Sequence, residues 1–262
     1  MGRLQGRVAV VTGGGEGIGL GVSRRLAKEG ATLVIAQRKA EVGEKVAAQL
    51  SQEFGVPVTF IKTDVCQKEQ VNQLIQSTVE QFGRLDILIN NAGGGVLPKP
   101  LEQSTDDEVS YSLNLNFWST LWAMQAAFPH MKAQQYGRIV NFGSLNGVNA
   151  HMQTMPYNAA KEAVRALTRT AAVEWAQHGI VCNVICPAAR SAAYDHFERA
   201  WPEAAAAITK QVPNRRMGDP ERDIGGLAAF LASEDCAHVV GMTIHADGGS
   251  HVNGVSWRPD GD

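Results

Sequence analysis

The stretch that decides the fold is Val8-Ala9-Val10-Val11-Thr12-Gly13-Gly14-Gly15-Glu16-Gly17-Ile18-Gly19. A short β-branched run breaks into a glycine-rich turn and continues as a helical pattern from Gly17 to about Glu29. Ile18, Val22, Leu26 and Ala27 share one face of that helix, and Gly30 is its stop. A strand-to-helix turn this rich in glycine lets the backbone approach a ligand closely. It also aims free helix N–H groups and the positive end of the helix dipole at an anion such as phosphate. Taken alone, the cluster suits a plain tight turn equally well. Its place after the first strand and before a helix favours the phosphate-binding reading. The glycines are spaced G-x-x-x-G-x-G (Gly13, Gly17, Gly19), not G-x-G-x-x-G.

Outward from this turn, strand-like and helix-like segments alternate along the chain. Leu33–Ala36, Val58–Ile61, Leu85–Ile89, Arg138–Phe142, Val181–Ile185 and Met242–His245 read as strands. Helical patterns fall near 40–50, 67–82, 105–132 and 156–177, and Asp219-Pro220-Glu221 reads as an N-cap, N1 proline and acidic first turn. Continuous apolar strands between amphipathic helices predict a parallel sheet covered on both faces, wound by right-handed crossovers into a doubly wound α/β fold. No repeat or linker divides the chain, which predicts one domain over 1–262. A stretch at about 188–215, rich in Ala with Tyr194, His196, Phe197 and Trp201, reads as an irregular lid.

Composition excludes several classes. The 262 residues carry 24 Lys+Arg against 26 Asp+Glu, a net charge of −2, with no basic run; this argues against a nucleic-acid binder. With 44% hydrophobic and 19% charged residues the chain is globular, and no apolar run approaches the ~18 residues of a membrane span. Gly2 lacks the Ser/Thr at the sixth position that myristoylation requires, and no signal-peptide stretch precedes the first strand, so a soluble, cytoplasmic protein is expected. Cys66, Cys182, Cys186 and Cys236 lack CxxC spacing and read as reduced, buried thiols rather than metal ligands; no metal is expected.

The glycine turn resembles the TGxxxGxG motif of the short-chain dehydrogenase/reductase family, and four further motifs stand in register with it. Asn90-Asn91-Ala92-Gly93 resembles NNAG. Ser144, thirteen residues before Tyr157, and Lys161, four after it, resemble the Ser…YxxxK set. Pro187, and Asp247-Gly248-Gly249 after the last strand, match as well. The resemblance covers about residues 4–249 and implies a Rossmann-like, seven-stranded fold that binds NAD(P). It implies cofactor contacts from Gly13, Gly15, Glu16, Gly17, Ile18, Gly19, Asp64, Val65, Asn91, Ala92, Gly93, Pro187, Ala188 and Arg190. Asp64 also suits a plain strand-end cap. Asn90 reads as a brace of the central sheet.

An NAD site usually carries an acid after the second strand, on the ribose 2′-OH. Here Gln37-Arg38-Lys39 stand instead: Gln37 removes a repelling anion and Arg38 suits a 2′-phosphate. Glu16 opposes this with repulsion of about 2 kcal/mol per unit charge at ~8 Å and an effective dielectric of ~20. NADP(H) is therefore the preferred expectation and NAD(H) the alternative.

Tyr157 and Lys161, at i and i+4, share a helix face. The resemblance implies that Tyr157 is the acid/base in an alcohol–ketone interconversion and that Lys161 lowers its pKa and holds the ribose. It implies that Ser144 positions the substrate oxygen, and that Asn116, rather than Asn114, kinks its helix and anchors a proton relay. The pattern's Pro-Gly becomes Pro187-Ala188, and an apolar cofactor contact becomes Arg190. That arginine contacts the cofactor, faces a substrate acid, or points to solvent. Ser144, Asn146, Met152, Tyr157, Tyr194 and Phe197 are the expected substrate pocket, for a bulky apolar ligand. Trp118 and Trp122 form a stripe on the helix that relatives pair between subunits, so a homo-oligomer, a tetramer, is expected. The alternative outside catalysis is a dinucleotide-binding sensor or scaffold. The tail Ser250–Asp262 has no assigned role beyond a tilt toward packing through Val252, Val255 and Trp257.

Overall fold

Apolar runs that lack polar alternation become the strands of one parallel sheet, as strands buried on both faces require. The protein is described here by a computed structural model, which covers residues 2–252. The strands are β1 (Val8–Thr12), β2 (Thr32–Gln37), β3 (Val58–Lys62), β4 (Ile87–Asn90), β5 (Gly137–Phe142), β6 (Ile180–Pro187) and β7 (Thr243–Ala246). Their spatial order is β3-β2-β1-β4-β5-β6-β7, every pairing parallel. This is the expected doubly wound, Rossmann-like α/β architecture.

Strand side chains alternate between two helical layers. Ala9, Val11, Leu33, Ile35, Ile87, Ile89 and Val140 pack against α1 (Gly17–Lys28), α2 (Ala40–Phe54) and α10 (Gly226–Leu231). Val10, Val34, Leu88 and Ile139 face α3 (Lys68–Phe82), α5 (Ser119–Ala133) and α7 (Met155–Trp175). At the N-terminal end of the sheet the fully buried Asp86 carboxylate is paired, with Arg7 at 3.1 Å and Arg84 at 2.6 Å. Charge there braces the fold.

Two expectations need correction. The single helix over 105–132 is instead α4 (Asp106–Leu113), a π-helical turn over Asn114–Trp118, and then α5. The irregular stretch at 188–215 is mostly helical, with α8 (Ala192–Ala200) and α9 (Pro202–Gln211). Ser191 caps the first, accepting from the Tyr194 amide at 3.1 Å, and Pro202 begins the second. The Asp219 cap is as expected: its carboxylate accepts from the amides of Glu221 (3.0 Å) and Arg222 (2.6 Å). Beyond β7 the chain turns at Ser250–Val252; Val255 and Trp257 lie outside the described residues.

Candidate active site

The sheet order reverses between β1 and β4, and a crevice at the carboxyl ends of the strands follows from that topology. A cleft of about 660 Å³ opens there. Its walls come from the ends of six strands: Gly13, Ala36–Arg38, Thr63–Val65, Asn91–Gly95, Phe142–Gly143 and Pro187.

One end of the cleft is the glycine turn. Gly13 (φ +65°) and Gly17 (φ +53°) adopt the left-handed conformation that suits glycine. A Cβ on Gly19 would lie 2.0 Å from the Gly13 oxygen, so no side chain fits at that position. Asn91 locks the turn from β4, donating from Nδ2 to the oxygens of Thr12 (3.0 Å) and Gly13 (3.2 Å). Glu16 occupies the N-cap position of α1 with no side-chain cap bond. Its carboxylate turns outward and meets Lys39 Nζ at 3.2 Å. Glu16, Gln37 and Arg38 line the cleft; Arg38 is exposed and forms no ion pair among the described residues. A bare glycine cradle, a helix start and a free cation fit the phosphates of a dinucleotide.

Tyr157 and Lys161 line the other end, with Ser144 and Asn116 next to them but outside the lining. Ser144 follows β5 and caps the short α6 (Leu145–Val148), its Oγ accepting from the Asn146 amide at 3.2 Å. Pro156 stands in the first turn of α7, which brings Tyr157 and Lys161 into the cleft. Lys161 is buried and donates from Nζ to the Phe142 oxygen at 2.8 Å, tying α7 to the end of β5. Nζ lies 5.7 Å from the centre of the Tyr157 ring. Asn116 sits in the π-helical turn, where the widened backbone frees carbonyls for side chains. Its Nδ2 donates to Ser112 O (2.8 Å) and Gly94 O (2.9 Å), and its Oδ1 accepts from the Gly94 amide (3.2 Å). Asn90 braces the sheet by donating to Asn141 Oδ1 at 2.8 Å.

Burial sets the protonation of this set. It pushes the Tyr157 phenol above its ordinary value, a hydrogen bond with Ser144 pulls the other way, and the Cys186 thiol adds to the rise. Burial pushes the Lys161 ammonium down to about 8. The phenol's expected depression is therefore not present in the protein alone, because desolvation outweighs every favourable neighbour.

Of the expected cofactor contacts, Gly13, Glu16, Gly17, Ile18, Gly19, Gln37, Arg38, Asp64, Val65, Asn91, Ala92, Gly93, Tyr157, Lys161 and Pro187 line the cleft. Gly15 is buried behind Gln37: a Cβ there would lie 2.2 Å from Gln37 Oε1. Asp64 also makes the cap, accepting from the Cys66 amide at 3.0 Å. Ala188 does not line the cleft; it exchanges backbone bonds with Ala246 and Gly218. Arg190 lies outside the cleft, its guanidinium held by Glu198 and, at 2.8 Å, by Asp195, and packed over the Tyr194 ring at 5.5 Å. Local acids on α8 hold it there, away from the cleft.

Of the six expected pocket residues, Asn146 and Tyr157 line the cleft; Ser144 lies behind it, hydrogen-bonded to Tyr157, and Tyr194, Phe197 and Met152 stand apart. Tyr194 hydrogen-bonds Thr209 on α9 at 2.9 Å and packs near Phe197, which uses both aromatics within the helical pair. Met152 is 83% exposed on its loop. The lining residues that sequence reasoning missed are Val96, Leu115, Thr154 and Ser191, together with Ala36, Thr63, Gly94, Gly95, Phe142 and Gly143 at the strand ends. An N-cap reading of Ser191 was the available signal.

The short chain dehydrogenase family model matches residues 7–203. A 12alpha-hydroxysteroid dehydrogenase from Clostridium sp. is 35% identical over 255 residues, covering 95% of this chain and 98% of that one. The crystal structure of levodione reductase superposes with a TM-score of 0.90 at 31% identity, over 95% of this chain and 99% of that one. An NADPH-dependent reductase involved in bacilysin biosynthesis superposes at 0.88 with 27% identity, over 93% and 98%. The chain belongs to the short-chain dehydrogenase/reductase family and is an NAD(P)-dependent oxidoreductase acting on CH–OH and C=O groups.

Proposed function

We propose that the protein interconverts a secondary alcohol and a ketone with NADP(H), on a bulky and largely apolar substrate. The observation that carries this is the pair Tyr157 and Lys161 lining one end of a cleft whose other end is the glycine turn, with Ser144 hydrogen-bonded to Tyr157 and Asn116 beside Lys161 at Gly93. When bound, the nicotinamide supplies or accepts the hydride.

The chain's own groups manage the oxygen and its proton. Ser144 Oγ donates to the substrate oxygen and holds it against the Tyr157 hydroxyl. A buried phenol stays protonated at neutral pH, ready to give its proton to a ketone oxygen as charge develops there. In the alcohol direction Tyr157 must lose that proton, and the Lys161 cation one helical turn away favours the phenolate. Lys161 in turn is replenished past Asn116: both side chains meet at Gly93, where a Cβ would lie 2.7 Å from Asn116 Oδ1 and 3.1 Å from Lys161 Nζ.

Arg38, exposed and without an ion-pair partner among the described residues, supports the NADP(H) preference. Apolar bulk in the substrate is supported by Val96, Leu115 and Phe142 in the cleft and by exposed Leu97 and Met152 on the bordering loops. It also agrees with the name of the hydroxysteroid relative. Exposed Trp118, stacked on Trp122 with ring centres 6.2 Å apart, supports a homo-oligomer built on α4 and α5. Analytical ultracentrifugation showing only a 28.1 kDa species would end that part.

The direct test is NADPH oxidation with a panel running from oxosteroids to diacetyl. Turnover is expected, with the lower KM on the bulky ketones. Tight NADPH binding with no turnover on any ketone, or of any secondary alcohol with NADP⁺, would favour a dinucleotide sensor.

A further inference from the structure

We propose that Lys39 determines cofactor choice indirectly, by neutralising Glu16 so that the cleft accepts a 2′-phosphate. This rests on the NADP(H) reading above and explains how a chain with an acid in its phosphate turn can hold that cofactor.

Neither residue's placement is explained by folding. Lys39 stands at the N-cap of α2, where its cation meets the positive end of the helix dipole and its side chain caps nothing. Gln37 fixes the Lys39 backbone instead, donating from Nε2 to its oxygen at 3.1 Å. Glu16, at the N-cap of α1, likewise leaves the helix uncapped. The two side chains spend their charge on each other, Nζ to Oε1 at 3.2 Å. Both are more than half exposed, so the pair contributes little to stability, and its effect is on the local field.

That field matters because of what lies beside it. Glu16, Gln37 and Arg38 line the same end of the cleft, whereas Lys39 does not line it. Without Lys39, the Glu16 carboxylate would face an incoming 2′-phosphate with Arg38 as the sole opposing cation among these four residues. With Lys39 in place the turn is neutral, and Arg38 acts unopposed. NADH, which lacks the phosphate, is indifferent to the difference. Lys39 is thus a positioning and charge-balancing residue, acting through Glu16 and not by contact with the cofactor.

The test is a double-mutant cycle on the full-length protein: Lys39→Ala, Glu16→Gln and the double variant. Dissociation constants for NADPH and NADH are read by tryptophan fluorescence, and folding is verified by thermal melting. Lys39→Ala should weaken NADPH about tenfold at low salt and leave NADH unchanged; the loss should shrink in 0.5 M KCl, which screens at about 4 Å. With Glu16→Gln already present, Lys39→Ala should change NADPH affinity less than about twofold, and Lys39→Arg should behave as wild type. An equal loss with and without Glu16 would mean that Lys39 meets the phosphate itself, and the proposal falls. No loss in either background also overturns it. A wild-type protein that binds NADH more tightly would defeat the NADP(H) reading, but the coupling between Lys39 and Glu16 is judged by the cycle alone.

Discussion

Asn116 and Lys161 close on the same small space above Gly93, the asparagine Oδ1 from the π-helical turn and the lysine Nζ from α7. Gly93 is therefore a spacer that admits both groups. Gly93→Ala should displace them and lower kcat at least tenfold, with a smaller change in melting temperature. Steady-state kinetics beside a thermal melt separates the two effects. Unchanged turnover would remove the relay from the account.

Asn116 satisfies three backbone groups that the π-helical turn and the loop after β4 leave open. Its truncation strands buried donors and acceptors at about 1–3 kcal/mol each when unrelieved by water. Asn116→Ala is expected to cost about 2–3 kcal/mol in urea denaturation, in addition to lost activity. A loss below 0.5 kcal/mol would show that water replaces the side chain freely.

Arg190 is paired with Asp195 and Glu198 away from the cleft. Exposed ion pairs contribute little. Arg190→Ala should leave the NADPH dissociation constant within about twofold and the melting temperature nearly unchanged. A tenfold loss of NADPH affinity would place the guanidinium back at the cofactor.

His245 and His251 stack with ring centres 4.3 Å apart, and His251 Nδ1 meets Asp247 Oδ1 at 2.9 Å. Burial and the neighbouring His251 hold the His245 imidazole below its ordinary value. Arg165 acts in the same sense, Asp247 and Glu162 oppose it, and Cys186 pairs with it across β6 and β7. A histidine with a lowered folded pKa binds fewer protons folded than unfolded. Stability is then full above the ordinary value near 6.5 and falls as pH drops through it toward the folded value. His245→Phe keeps the stack without the proton, so its melting temperature should fall less than that of wild type between about pH 7 and pH 5. Parallel curves would assign the acid sensitivity elsewhere.

The alternation of apolar strands and amphipathic helices was legible from the sequence because burial on both faces confines polar residues to the ends of β1, β2 and β4. The polar set was read through its resemblance to the Ser…YxxxK motif; the spacing alone made legible only that Tyr157 and Lys161 share a helix face, and both line the cleft. Direction was harder to read. Tyr194, Phe197 and Met152 looked like pocket walls from their chemistry, but a side chain's identity does not say which way its element turns. The Thr209 hydroxyl claims Tyr194, and acids one and two turns into α8 claim Arg190. The resemblance placed a helix kink at Asn116, but its π-helical form was hidden: it leaves the apolar spacing of α4 and α5 nearly intact and shows in the hydrogen bonds of Asn116, Ser119 and Thr120.

The most direct test of the central claim is Tyr157→Phe, assayed for NADPH binding by tryptophan fluorescence and for ketone reduction in the same preparation. Removing one hydroxyl should leave NADPH affinity within about threefold of wild type and lower kcat at least 100-fold. Ketone reduction at the wild-type rate by Tyr157→Phe would contradict the assignment of the proton to this residue.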